Sequence, residues 1–165
     1  MNDPLLLAIV SVHLALGAFD MFYHHELTEK LAFRETARFE LKLHAARNFI
    51  YAWLFISFAL FVPHGLWAVL AIGLVTLEGF ITIVDFVEED RSRKLPVTER
   101  VTHTVLCITF GIICTLLFTK LIPLAASPTA LTPVFYAWVT PLLALSGLIV
   151  LVFGFKDLYL SLIHI

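Results

Sequence analysis

Residues 66–89 read LWAVLAIGLVTLEGFITIVDFVEE, an apolar run interrupted by Glu78 and Asp85 and closed by Glu88 and Glu89. A hydrocarbon layer of roughly 30 Å takes about 20 residues of helix to cross, and this run is long enough. An ionisable side chain inside a bilayer is costly and by default marks a functional site. Glu78, Thr82, Asp85 and Glu89 fall three or four residues apart, so on a helix they share one stripe. The stretch therefore predicts a membrane-spanning helix with a single acidic face.

The rest of the chain follows the same pattern. Of 165 residues, 60% are hydrophobic and 15% charged, against about 45–50% and about 25% in soluble domains. Mean hydropathy is +0.93. Five spanning helices are expected, at about 4–24, 36–62, 66–89, 96–122 and 134–158, in a single transmembrane domain over residues 1–165. The fold class is an all-α integral membrane protein in which the first four helices form a bundle around a polar, metal-holding site. Pro63-His64-Gly65 reads as a tight turn between helices two and three, and Pro96 with Thr98 as the start of helix four. Pro123, Ser127, Pro128 and Pro133 mark a loop before helix five, which is expected to pack and shield without giving the site an acid or imidazole.

Basic residues set the orientation. Lys30, Arg34, Arg38, Lys42 and Arg47 flank the first connection, and Arg91, Arg93, Lys94 and Arg100 flank the third, against Lys120 on the opposite side. The positive-inside rule places the N-terminus outside and the C-terminus, near Lys156, in the cytoplasm, as in a bacterial inner membrane. Met1-Asn2-Asp3-Pro4 lacks the basic segment of a signal peptide, so the first apolar run is read as a retained helix. A net charge of −2 argues against nucleic acid as a partner. Cys107 and Cys114, seven apart on one helix, are too far apart to bridge each other.

Each of the other three bundle helices also carries one polar stripe: His13, Asp20 and His24; Glu40, His44, Arg47 and Tyr51; Glu99, His103 and Cys107. Helices one and three run inward with acids near their C-terminal ends, while two and four run outward with acids near their N-terminal ends. All four stripes thus meet in the cytoplasmic half of the membrane. Three histidines with four or more carboxylates exceed the donor set of one zinc ion, and the mixture suits two first-row ions bridged by carboxylates. The expected metal ligands are Asp20, His24, Glu40, His44, Glu78, Asp85, Glu99 and His103. His25 and Glu89 are alternative ligands, and Arg47 and Tyr51 are expected to hydrogen-bond ligands from behind. His13 is expected to bond a neighbouring helix, and His64 and His164 to stand apart at the membrane edges.

The ligand helices are similar in logic to soluble di-iron and di-manganese bundles, in which two helices each give a Glu and two give Glu-x-x-His. The spacing here is acid-x-x-x-His, as in Glu40/His44 and Glu99/His103, and the third histidine and the membrane setting are further departures. Iron is the first expectation for the ion, with manganese and zinc behind it. That points to an oxidoreductase acting on a hydrophobic or membrane-associated substrate, with a redox partner to supply electrons. Other roles compatible with the residues are a zinc-dependent hydrolase, a b-type haem carrier using His13, His24, His44 or His103, a conduit, and a metal-stabilised structural module. Helix five leaves room for a second subunit.

Overall fold

The computed structural model describes residues 3–163. Met1, Asn2, His164 and Ile165, and the readings that rest on them, lie outside the described residues. The chain is mostly helical: α1 (Pro4–Phe19), a π-helical continuation (Asp20–Thr28), short 3-10 turns at Leu31–Phe33 and Glu35–Ala37, α2 (Arg38–Leu60), α3 (Leu66–Ser92), α4 (Val97–Ala125) and α5 (Val139–Ile163). Among the described residues, five helical segments are long and apolar enough to cross a membrane.

Local chemistry explains where the helices begin and turn. Asp3 caps α1 by accepting from the amides of Leu5 (3.0 Å) and Leu6 (3.3 Å), with Pro4 in the first turn, where no amide donor is needed. Between α2 and α3 the expected tight turn is instead a short strand, β1 (Phe61–His64), which pairs antiparallel with β2 (Ala130–Pro133) before α5. An isolated two-stranded ribbon tolerates Pro63 and Pro133, because neither proline has to donate to an inner ladder. Gly65 follows with φ +56°, and a Cβ there would lie 2.5 Å from Thr129 Oγ1, so glycine is required at this crossing. Helix α5 begins later than its hydropathy suggests, because Ala137 takes a left-handed conformation (φ 47°) that interrupts the helix.

The helices alternate in direction, and an ion pair between Asp3 and Lys120 (3.0 Å) joins the start of α1 to the last turns of α4. At that end the interior is apolar: Ile50, Leu54, Phe58, Ala68, Ala71, Val75, Leu117 and Leu121 join α2, α3 and α4. Helix α5 lies along α2, and Gly147 and Gly154 permit the approach. A Cβ at Gly147 would stand 2.7 Å from Ile56, and one at Gly154 3.1 Å from Phe49. Such close backbone contact, with Thr140 Oγ1 donating to Ala59 O (3.1 Å) and Asn48 to Asp157 (3.2 Å), is how helices adhere where burial of apolar surface offers little. The opposite end is built the other way round. Large apolar side chains such as Phe80, Ile83, Ile108, Val152 and Phe155 face outward, while Asp20, Glu40, Glu78, Asp85, Glu89 and Glu99 are buried.

Candidate metal centre

The wider i→i+5 turn of the π-helical segment re-aims the side chains that follow Asp20. His24 and His25 both lie inside it, and they take different roles. His24 Nδ1 meets Asp20 Oδ1 at 2.8 Å and its Nε2 meets Thr98 Oγ1 at 3.3 Å, so both ring nitrogens are engaged. His25 instead turns toward the bundle axis. Its ring stacks on that of His44, with centroids 4.6 Å apart and planes 7° from parallel, and its Nε2 lies 3.6 Å from Glu99 Oε1.

Helix α2 delivers Glu40 and His44 one turn apart, α4 delivers Glu99 and His103 at the same spacing, and α3 places Glu89 between them. Two sets of donor atoms converge closely enough to hold a metal ion: His25, Glu89, Glu99 and His103 form one, and Glu40, His44 and Glu89 the other. Within each set the donor atoms lie within 4.8 Å of one another. Glu89 belongs to both.

Behind these groups stand carboxylates that orient the imidazoles. Asp20 Oδ2 meets His103 Nε2 at 3.2 Å, which leaves His103 Nδ1 facing Glu89 Oε2 at 3.3 Å. Asp85 Oδ2 stands 3.2 Å from His44 Nε2 and accepts from Arg47 at 2.8 Å. Arg47 also donates to Glu78 (3.1 Å), whose Oε1 accepts from Tyr51 (2.6 Å) and Thr82 (2.8 Å) as well. Glu40/His44/Asp85 on one side thus mirrors Glu99/His103/Asp20 on the other.

Arg93, just beyond α3, closes the centre from the loop side. It is only 3% exposed, and its guanidinium donates to Glu99 through two bonds (2.7 and 2.8 Å) and to Glu40 (2.9 Å). Glu29 and Glu89 each lie 3.6 Å away. Burial works against its charge, but the bonds to Glu99 and Glu40 outweigh that and hold its pKa above the ordinary value.

Acids outnumber guanidiniums around the centre. Six buried carboxylates, Asp20, Glu40, Glu78, Asp85, Glu89 and Glu99, face two guanidinium groups, Arg47 and Arg93. The excess of four is met by protons on the carboxylates or imidazoles or by bound cations, because an unpaired buried charge is prohibitively costly. The orphaned atoms point the same way. Both oxygens of Glu89, and Nε2 of His25 and of His44, are buried without a hydrogen-bond partner. Buried polar atoms are normally satisfied, and these four have only looser neighbours, such as Asp85 Oδ2 at 3.2 Å from His44 Nε2 and His103 Nδ1 at 3.3 Å from Glu89 Oε2.

Of the residues picked out from the sequence, the structure brings Glu40, His44, Glu99 and His103 close together, with the alternatives His25 and Glu89 among them. Asp20, Asp85, Arg47 and Tyr51 lie around them, while Glu78 sits deeper in the Arg47–Tyr51–Thr82 network and His24 is turned away. His13 bonds a neighbouring helix, with Nδ1 2.7 Å from Thr109 Oγ1, and His64 bonds Ser127 (3.2 Å) at the far end. Sequence reasoning missed the clamp by Arg93, which it counted only as a basic residue, and the Glu29 and Thr98 contacts. It also denied helix five an acid, yet Asp157 on α5 is buried and accepts from Asn48. It lies inside the expected span, one residue before its end at 158.

A cavity of about 260 Å³ adjoins the centre, and His25, His44, His103, Arg47 and Glu78 are on its wall. Comparison of the chain with protein-family models, curated proteins and solved structures found no match.

Proposed function

We propose that the chain is an integral membrane protein whose first four helical segments hold two first-row metal ions close to the cytoplasmic face, and that it oxidises a hydrophobic substrate there with dioxygen as the oxidant. The observation that carries this reading is Glu89, shared by two donor sets, with both oxygens buried and without a hydrogen bond while His103 Nδ1 stands 3.3 Å from one and Arg93 3.6 Å from the other. A carboxylate able to bridge is what a two-ion site needs and a one-ion site does not. The orientation rests on the basic residues, since nine flank the connections at this end and Lys156 lies near it, against Lys120 at the other.

The donor set is three carboxylates and three imidazoles with no thiolate, a mixture that suits iron or manganese better than thiolate-preferring ions. Bound iron would supply electron-transfer chemistry toward an organic substrate. The chain's own residues do the rest. Asp20 fixes the ring of His103 and Asp85 stands against that of His44, and Arg93 holds Glu40 and Glu99 apart at a fixed spacing. The apolar walls of the adjoining cavity keep water from the reacting carbon.

Haem has less support, because both nitrogens of His24 are engaged and His13 is bonded to Thr109. The test is elemental analysis and optical spectroscopy of the full chain purified from iron-replete cells. Iron with near-ultraviolet absorption that a reductant bleaches supports the reading. Zinc without such absorption would overturn the redox assignment, and no enriched metal would overturn the site itself.

A further inference from the structure

The cavity beside the centre has a neighbour. It shares His13, Leu14, Tyr51, Phe55 and Phe110 with a second cavity of about 90 Å³ that reaches toward the opposite end of the bundle. Beyond His13 and Tyr51 at the junction, the second cavity is walled almost wholly by apolar side chains, among them Leu6, Val10, Leu54, Phe58 and Leu117. Along α1 the two extend from Leu6 to Ala18, about 18 Å at the helical rise per residue. The larger cavity alone falls just short of the roughly 300 Å³ at which small-molecule sites begin, and the two joined come into that range. The space is long and narrow, polar at one end and apolar at the other.

Its flank lies between α1 and α5. Leu14, Gly17 and Ala18 of α1 face Ser146, Ile149 and Val150 of α5 across the larger cavity. Gly17 leaves a gap, because a Cβ there would meet nothing within 4 Å. Nearer the centre the two walls touch through Phe22 and Phe153, whose rings stand edge to face at 5.7 Å.

The charges on the wall select the head group. Glu78 and Asp157 are acids, and Arg47 is already committed to Glu78 and Asp85. A carboxylate head would add a further negative charge where buried carboxylates already outnumber guanidiniums, whereas an uncharged head adds none.

We propose that this joined cavity binds a single-chain neutral lipid, such as a long-chain alcohol. Its uncharged head lies beside His25, His44 and His103, its tail runs into the apolar cavity, and entry is sideways between α1 and α5. The assignment of this lipid as the substrate rests on the metal-centre reading, but the binding does not.

The test uses the full chain in lipid nanodiscs with photoreactive hexadecanol and photoreactive palmitic acid, the diazirine being placed at the tail end, and labelled residues are mapped by mass spectrometry. Metal content is measured on the same samples. The proposal expects the alcohol to label Leu54, Phe58 or Leu117, with labelling reduced about tenfold in Gly17→Leu, as a loss of roughly 1.4 kcal/mol in binding would give. Val150→Phe, which fills the space from the opposite wall, should have the same effect. Labelling confined to outward-facing residues such as Phe80 and Ile83, or unchanged in both variants, would overturn the proposal. Equal labelling by palmitic acid would overturn the choice of a neutral head. Cavity labelling in metal-free protein would support the lipid site and count against the metal centre, while a loaded centre without cavity labelling would do the reverse.

Discussion

Arg93 and Glu99 are joined by two parallel bonds, Nη1 to Oε2 at 2.8 Å and Nη2 to Oε1 at 2.7 Å, in a pocket that leaves the Arg93 side chain 3% exposed. Paired geometry of this kind is beyond a lysine, whose ammonium acts as a point charge. Because the same guanidinium reaches Glu40 at 2.9 Å, one side chain outside the spans ties α2 to α4.

Removing that tie leaves two buried carboxylates without their partner. Arg93→Ala is expected to destabilise the chain by about 3–5 kcal/mol, the usual cost of stripping one member from a buried ion pair. Arg93→Lys should keep the charge, lose the fork and fall between. Thermal unfolding in a fixed detergent measures both, and an Arg93→Ala protein as stable as the parent would show that the clamp carries nothing.

Asp20→Asn keeps the size of the side chain and removes the charge behind His103. Loss of an orienting carboxylate typically costs about 10–100-fold in metal affinity. Titration of metal-stripped protein should therefore show weaker binding with the same number of ions at saturation. A change in that number would place Asp20 on the metal rather than behind His103.

The adjacent histidines separate the π-helical reading from a regular one. His25→Ala is expected to lower metal content, whereas His24→Ala should retain it, since His24 is occupied by Asp20 and Thr98. Elemental analysis of the two variants decides between them, and the reverse result would restore the α-helical stripe.

The reach and the limit of the sequence meet in this segment. Hydropathy locates five helices because apolar runs of this length have few alternatives, and the Glu40/His44 and Glu99/His103 pairs emerge because four-residue spacing holds on a regular helix. The Asp20/His24 pair obeys the same spacing, yet the π turn gives the inward direction to His25, and no periodicity argument carries information about an inserted π turn. The ribbon of β1 and β2 escaped for another reason: its pairing joins residues far apart in the chain, and Pro63 with Gly65 imitates an ordinary turn. Arg93 was legible only as charge, because its partners come from α2 and α4 and their convergence is tertiary.

The orientation can be checked with single cysteines in a background carrying Cys107→Ser and Cys114→Ser. Asp90 and Ala126 are exposed at opposite ends of the bundle. In intact cells, a membrane-impermeant maleimide should label Ala126→Cys and spare Asp90→Cys until the membrane is opened. The opposite pattern would invert the topology and move the centre to the outer face.

Glu89 bears the central claim, and metal stoichiometry tests it most directly. The full chain, stripped and then loaded with ferrous iron under anaerobic conditions, is predicted to hold two ions. Glu40→Ala should hold about one, because the set of His25, Glu89, Glu99 and His103 survives. Glu89→Ala should fall furthest, because both sets lose a ligand together. A parent chain that retains no metal after loading, or a Glu89→Ala variant that binds as many ions as the parent, would contradict the account.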